Sequence, residues 1–135
     1  VTLTTKRRLE ATAGYFIAEE DEGALTLEGW EAVQRGACDL LDLGAAPLEA
    51  LGLTRPLLCH GVMRNQRHVI PHGGFTLEVD RTEFPRGVIE AEVEVETTDP
   101  EGARQVVEAV AERAGVSLFN QTRGKYARFL SALGL

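Results

Sequence analysis

Residues 88–96 read Val-Ile-Glu-Ala-Glu-Val-Glu-Val-Glu, and this stretch decides the class of fold. From Ile89 onward apolar and acidic residues alternate without a slip, the pattern of a β-strand with two unlike faces. Ile89, Ala91, Val93 and Val95 share one face; Glu90, Glu92, Glu94 and Glu96 share the other. Working outward, the cluster Pro71-His72-Gly73-Gly74 reads as a turn, residues 75–80 as a strand, and residues 81–87 as a connection. Residues 70–96 therefore predict a three-stranded antiparallel meander. Downstream, Asp99-Pro100 places an N-cap acid before a proline at the first helical position, and Gly115 stops the helix. Val106, Val107, Val110, Ala111 and Ala114 form its apolar stripe.

The remaining segments follow the same rules. Residues 1–6 predict a strand, 7–14 a turn and 15–22 a second extended segment that ends acidic. Residues 29–43 predict a helix, with Trp30, Val33, Ala37, Leu40 and Leu41 at helical spacing and Gly44 as its stop. Residues 47–51 add a short helical turn, and 56–70 begin apolar and become basic. Residues 116–120 are short and extended, and 125–133 form a closing helix. Strands outnumber helices and look antiparallel, so the expected class is α+β.

A chain of 135 residues with 44% hydrophobic residues has enough apolar material for one domain over residues 1–135. Its net charge of -7 disfavours a nucleic-acid partner held by phosphate neutralisation. No apolar run reaches membrane-spanning length and no signal peptide opens the sequence, so no membrane partner and a cytoplasmic setting are expected. Cys38 and Cys59 have neither metal nor redox spacing and are expected to pack as small apolar groups. His60, His68 and His72 lack zinc spacing, and His72 is assigned to the turn. Val1 stands inside a predicted strand without a preceding Met, which predicts further sequence upstream.

Same-face neighbours on a strand lie roughly 6.6 Å apart, so a row of carboxylates repels itself unless water, cations or basic side chains compensate. A solvated strand face is the ordinary explanation of such a row. Two features argue for more. Glu78 with Asp80, and Glu20 with Glu22, repeat the acidic pairing on two other strands. Glu is also a poor strand former. Hard oxygen ligands gathered in this way suit Mg²⁺ or Mn²⁺. Lys6, Arg64, Arg67 and Lys125 lie on other elements, and a barrel interior that mixes them with the acids would suit a polyanion together with its metals. Arg64 and Arg67, three apart, point to opposite faces of a regular strand unless a bulge intervenes.

The ordered set of motifs resembles the CYTH domain of the triphosphate tunnel metalloenzymes. It runs from Thr2-Leu-Thr-Thr-Lys6 through Glu19-Glu-Asp-Glu22, Gly61-Val-Met-Arg64-Asn-Gln-Arg67, Leu77-Glu-Val-Asp80 and Gly87-Val-Ile-Glu90-Ala-Glu92-Val-Glu94 to Gly124-Lys125-Tyr126. The family's opening Glu-x-Glu-x-Lys strand is absent. The resemblance implies an antiparallel β-barrel forming a tunnel, flanked by helices and incomplete at its N-terminus. It implies that Lys6, Arg64, Arg67 and Lys125 hold substrate phosphates. Glu20, Glu22, Asp80, Glu92 and Glu94 would hold the metal, with Glu92 and Glu94 the catalytic pair, Glu90 an alternative in register on that strand, and Glu19 with Asp21 the alternative to Glu20 with Glu22. The implied activity is Mg²⁺- or Mn²⁺-dependent hydrolysis of a small-molecule triphosphate: tripolyphosphate, thiamine triphosphate or a nucleoside triphosphate. The alternatives are an adenylyl cyclase on the same scaffold and a non-catalytic module that binds phosphorylated ligands. A homodimer is left open.

Overall fold

The computed structural model describes residues 1–12, 15–53 and 56–135. The class is α+β, with antiparallel strands and, among the described residues, four α-helices. The chain forms two compact units, Val1–Cys59 and His60–Leu135.

In the first unit β1 (Thr2–Thr12) and β2 (Tyr15–Ala24) make an antiparallel ribbon. Lys6 pairs with Glu20, Arg7 with Glu19 and Thr4 with Glu22, and the register shifts between Arg8 and Glu10. β1 thus runs through most of the expected turn at 7–14. Residues 7–12 contain no Gly or Pro to break an extended chain, and β2 pairs with them on both sides of the register shift. Residues 13 and 14, the end of the expected turn, lie outside the described residues. α1 (Leu27–Gln34) starts on Thr26, whose hydroxyl oxygen accepts from the Gly29 N–H at 3.1 Å. The single helix expected over 29–43 is interrupted. Gly36 takes φ +69°, and Asp39 then caps a separate 3₁₀ turn over Leu40–Leu43. Its carboxylate accepts from the Leu41 N–H at 2.9 Å, while Asp42 accepts from the Asp39 N–H at 2.8 Å. A reciprocal cap of this kind is a helix start, and it outweighs the apolar periodicity running across it.

α2 (Ala46–Ala50) closes over the ribbon, and Leu25, Ala45 and Leu48 form the buried centre, with Leu3, Trp30, Leu40, Leu41 and Leu43 against it. Any side chain at Gly23 would meet Pro47, since a Cβ there would lie 2.8 Å from its Cδ. Neither cysteine is a packed core residue: Cys38 is half-buried and Cys59 exposed.

The second unit holds β3 (Arg64–His72), β4 (Phe75–Glu83) and β5 (Ile89–Glu94), in the order β3-β4-β5. Gly73 and Gly74, at φ 59° and 84°, make the two-residue turn between β3 and β4, a geometry that favours glycine at both positions. His72 is therefore the last strand residue rather than part of the turn, pairing with Phe75. Pro71 is tolerated because β3 is an edge strand. β4 continues three residues beyond the expected Asp80, reaching a 3₁₀ turn at Pro85–Gly87.

α3 (Pro100–Ala114) has the expected bounds. The Asp99 carboxylate accepts from the Gly102 N–H at 3.0 Å, and Gly115 ends the helix at φ 67°. α4 (Lys125–Leu133) also matches its prediction. Residues 116–122 carry no regular secondary structure.

The register defines two faces of the sheet. Asn65 and Arg67, Glu78, Asp80 and Thr82, and Glu90, Glu92 and Glu94 share one face, and α4 lies over it. Ile70, Leu77, Val79, Ile89 and Val93 share the other. Each face is covered in part. Asp80 (0% exposed) and Thr82 (1%) are buried on the acid-bearing face and Leu77 (3%) on the other, where Ile89 is 55% exposed. At Asp80 the expectation of a solvated acidic face does not hold. Among the described residues, no helix is long and apolar enough to cross a membrane.

Because Leu48 lies in the buried centre of the first unit, Leu48→Ala should destabilise it by about 2–3 kcal/mol. Urea unfolding followed by the fluorescence of Trp30, the sole tryptophan, will report this directly.

Candidate functional site

The charged face of the β3-β4-β5 sheet is organised around Asp80, in the central strand. Arg67 stands opposite it on β3 and Glu92 opposite it on β5. Arg67 donates from Nε to Asp80 Oδ1 and from Nη2 to Oδ2, both at 2.7 Å, a two-pronged clamp. The same guanidinium reaches Glu78 through Nη1 and Glu94 Oε2 through Nη2, the latter at 2.5 Å.

α4 brings two further cations. Lys125 and Arg128 are three residues apart and so share one side of the helix. Lys125 Nζ lies 2.8 Å from Asp80 Oδ2, 2.5 Å from Glu92 Oε1 and 2.7 Å from Glu94 Oε1. Arg128 divides its fork between Glu90 Oε2 and Glu92 Oε2, each at 2.5 Å. Cations in the first turn of a helix oppose its dipole, so α4 does not place them there for its own sake. The carboxylates of the sheet make the placement favourable.

These contacts set the charge states. Hydrogen bonds from Arg67 hold the Asp80 carboxyl well below its ordinary value of 3.8, against the opposing effect of burial, with Lys125 and Asn65 adding to the shift. Its hydrogen bond to Asp80 raises the Arg67 guanidinium further. Burial works to lower Lys125, but its hydrogen bonds to Asp80, Glu92 and Glu94 outweigh it and the ammonium is raised above 10.5. Burial opposes the charge on Arg128 in the same way, and Glu90 and Glu92 again prevail.

Five carboxylates (Glu78, Asp80, Glu90, Glu92 and Glu94) face three cations (Arg67, Lys125 and Arg128), so the cluster keeps two uncompensated negative charges. Asp80, Glu92 and Glu94 each offer an oxygen, and the three atoms lie within 4.8 Å of one another. Hard oxygens at that spacing fit Mg²⁺ or Mn²⁺. The Lys125 ammonium, seated among the three, shows that the position favours a cation.

The structure therefore brings together Asp80, Glu92, Glu94, Arg67 and Lys125 from the sequence reading. Arg64 does not join them. β3 has no bulge, so Arg64, paired with Glu83, stands on the opposite face from Arg67. Lys6, Glu20 and Glu22 belong to the first unit. There Lys6 Nζ meets Glu20 Oε1 at 2.6 Å and the Thr4 hydroxyl donates to Glu22 Oε1 at 3.3 Å. The register puts Lys6, Glu20 and Glu22 on one face of the ribbon. Glu19 and Asp21 share the other face with Arg7, lining an open depression of about 190 Å³ with Thr5, Ala50 and Leu51.

Sequence reasoning missed Arg128 and Asn65. Asn65 Oδ1 accepts from the buried Thr82 hydroxyl at 2.7 Å. Both could have been found: Asn65 by counting back two from Arg67, Arg128 by the three-residue step from Lys125. No protein-family model and no curated protein matches this chain.

The pKa directions fix the pH dependence of stability. Asp80, depressed on folding, contributes stability that is complete above its ordinary value and is lost as pH falls through the folded value. Lys125, raised on folding, contributes stability that is complete below 10.5 and is lost as pH rises beyond it. With respect to these two groups, stability should be level between roughly pH 5 and pH 10. Asp80→Asn, which leaves Arg67 and Lys125 short of a partner, should destabilise the second unit by about 3 kcal/mol and flatten the acid limb. Urea titrations at stepped pH, followed by circular dichroism, measure both effects.

Proposed function

We propose that this protein hydrolyses a small-molecule triphosphate with the help of Mg²⁺ or Mn²⁺. The observation that carries the reading is the buried-to-half-buried triad Asp80, Glu92 and Glu94, set beside Arg67 and Lys125 in a cluster whose five carboxylates exceed its three cations by two charges. That excess equals the charge of one divalent cation. Asp80, Glu92 and Glu94 are the residues that would hold it. Bound there, it would neutralise phosphoryl oxygens and acidify a water ligand.

Phosphoryl transfer needs little covalent help from a protein and much positioning and charge neutralisation. Arg67 offers a planar fork, suited to two phosphate oxygens at once. Lys125 offers a compact ammonium with three donors. Both already stand among the acids, so an anion arriving with its cation meets donors on the same face. The resemblance adds Lys6, Glu20 and Glu22 to this set, together with the tunnel closed by an antiparallel barrel; those remain parts of the proposal.

A second reading, a module that binds a phosphorylated ligand without cleaving it, has one observation in its favour. Arg67, Lys125 and Arg128 between them contact all five carboxylates, so the charged face already has internal partners.

Phosphate release from tripolyphosphate, ATP and thiamine triphosphate, each with Mg²⁺ and with Mn²⁺, decides between them. Turnover of at least one is expected. Glu92→Gln should lower kcat by about 100-fold or more, and Lys125→Gln should raise KM for the triphosphate by about 10- to 100-fold. Tight binding without phosphate release would favour the binding module, and cyclic AMP from ATP would identify a cyclase. Neither turnover nor binding of any of the three would end the proposal.

A further inference from the structure

We infer that Arg128 is a positioning residue, which sets the orientation of the Glu92 carboxylate toward the Asp80–Glu94 side of the cluster. The inference rests on the proposed divalent-cation site and adds to it a residue that makes no contact with Asp80 or Glu94.

Arg128 is only 8% exposed. Its guanidinium lies over the ring of Phe84, itself 4% exposed, with Cζ 5.4 Å from the ring centroid. The plane of the fork is thereby fixed from one side by an aromatic face. From that platform Nη1 takes Glu90 Oε2 and Nη2 takes Glu92 Oε2, each at 2.5 Å. Glu90 and Glu92 are same-face neighbours on β5, so one planar cation bridges two consecutive carboxylates of the row.

The consequence lies in the other oxygen of Glu92. Oε1 is buried and is turned to the Lys125 ammonium 2.5 Å away, where Asp80 and Glu94 also converge. A carboxylate has two equivalent oxygens and a soft terminal torsion. With Oε2 held by Arg128, the oxygen directed into the triad, beside Lys125, is Oε1. Were charge compensation all that was needed, a cation in any orientation would serve, and a planar fork stacked on a buried ring would be superfluous. A lysine at 128 could supply the charge but could not span Glu90 and Glu92 in a fixed plane.

The two effects of Arg128 on a bound cation have opposite signs, which makes the inference testable. As a positive charge it repels a divalent ion; as a positioner it favours one. Mn²⁺ alone is titrated by calorimetry into the full chain, its Arg128→Met and Arg128→Lys variants, with thermal unfolding recorded alongside. Positioning predicts that Arg128→Met binds Mn²⁺ about 10- to 100-fold more weakly, despite the loss of a repelling charge. Arg128→Lys should weaken binding by roughly 10-fold, at the low end of that range. If Arg128→Met gives no cooperative unfolding transition, the lysine variant alone decides.

A folded methionine variant with equal or tighter Mn²⁺ binding overturns the inference, and so does a lysine variant that matches the unsubstituted protein. Loss of thermal stability with unchanged affinity would reduce Arg128 to a strut between α4 and β5, and also overturns it. Failure of the unsubstituted chain to bind Mn²⁺ is a distinct result: it removes the cation site, and the role of Arg128 with it.

Discussion

The second unit depends on charge being placed where water is scarce. A carboxylate at 0% exposure, Asp80, is tolerable only because Arg67 clamps both of its oxygens and Lys125 adds a third donor. The rest of the arrangement follows from that need. The acidic row of β5 runs beside Asp80, so α4 must turn a cationic side to the sheet. Arg128 must then find an apolar bed, which Phe84 provides at the end of β4. The helix is joined to the sheet by the ion pairs of Lys125 and Arg128.

Buried ion pairs are poor evidence of stability, since well-packed apolar groups of similar volume often do as well or better. Here three bases meet five acids on one face of the sheet. The first unit offers a contrast. Its Lys6–Glu20 pair is 63% and 37% exposed, the kind of surface pair that contributes little, and its fold rests on the apolar contacts of Leu25, Ala45 and Leu48. Two neighbouring stretches of one chain therefore solve the same folding problem with different forces.

The features legible in the sequence were those fixed locally. Asp99-Pro100 and Gly115 bound α3 because caps act within one turn, and the alternation of residues 88–96 marked a strand because period two needs no partner. The parity of Arg64 and Arg67 was equally readable, and the unbroken register of β3 separates them. Features fixed by remote partners were not legible. Alternation shows that Glu90, Glu92 and Glu94 share a face but not whether that face meets water. The cover comes from Lys125, 31 residues beyond Glu94, and from Arg128, 38 beyond Glu90. The long helix expected over 29–43 failed for a different reason. Its apolar spacing continues across Gly36, while the backbone there turns left-handed and Asp39 begins anew.

The proline in β3 has an effect on what the molecule avoids. His72 and Phe75 close the Gly73-Gly74 hairpin, so the next residue back, Pro71, directs the site of its missing N–H away from β4. The ladder loses nothing by it. An intruding strand that sought to extend the sheet along this border would find a donor gone, a rigid ring in its path, and arginines at 64 and 67 farther along. A nine-residue flank that could seed fibrillar self-association is thereby kept inert.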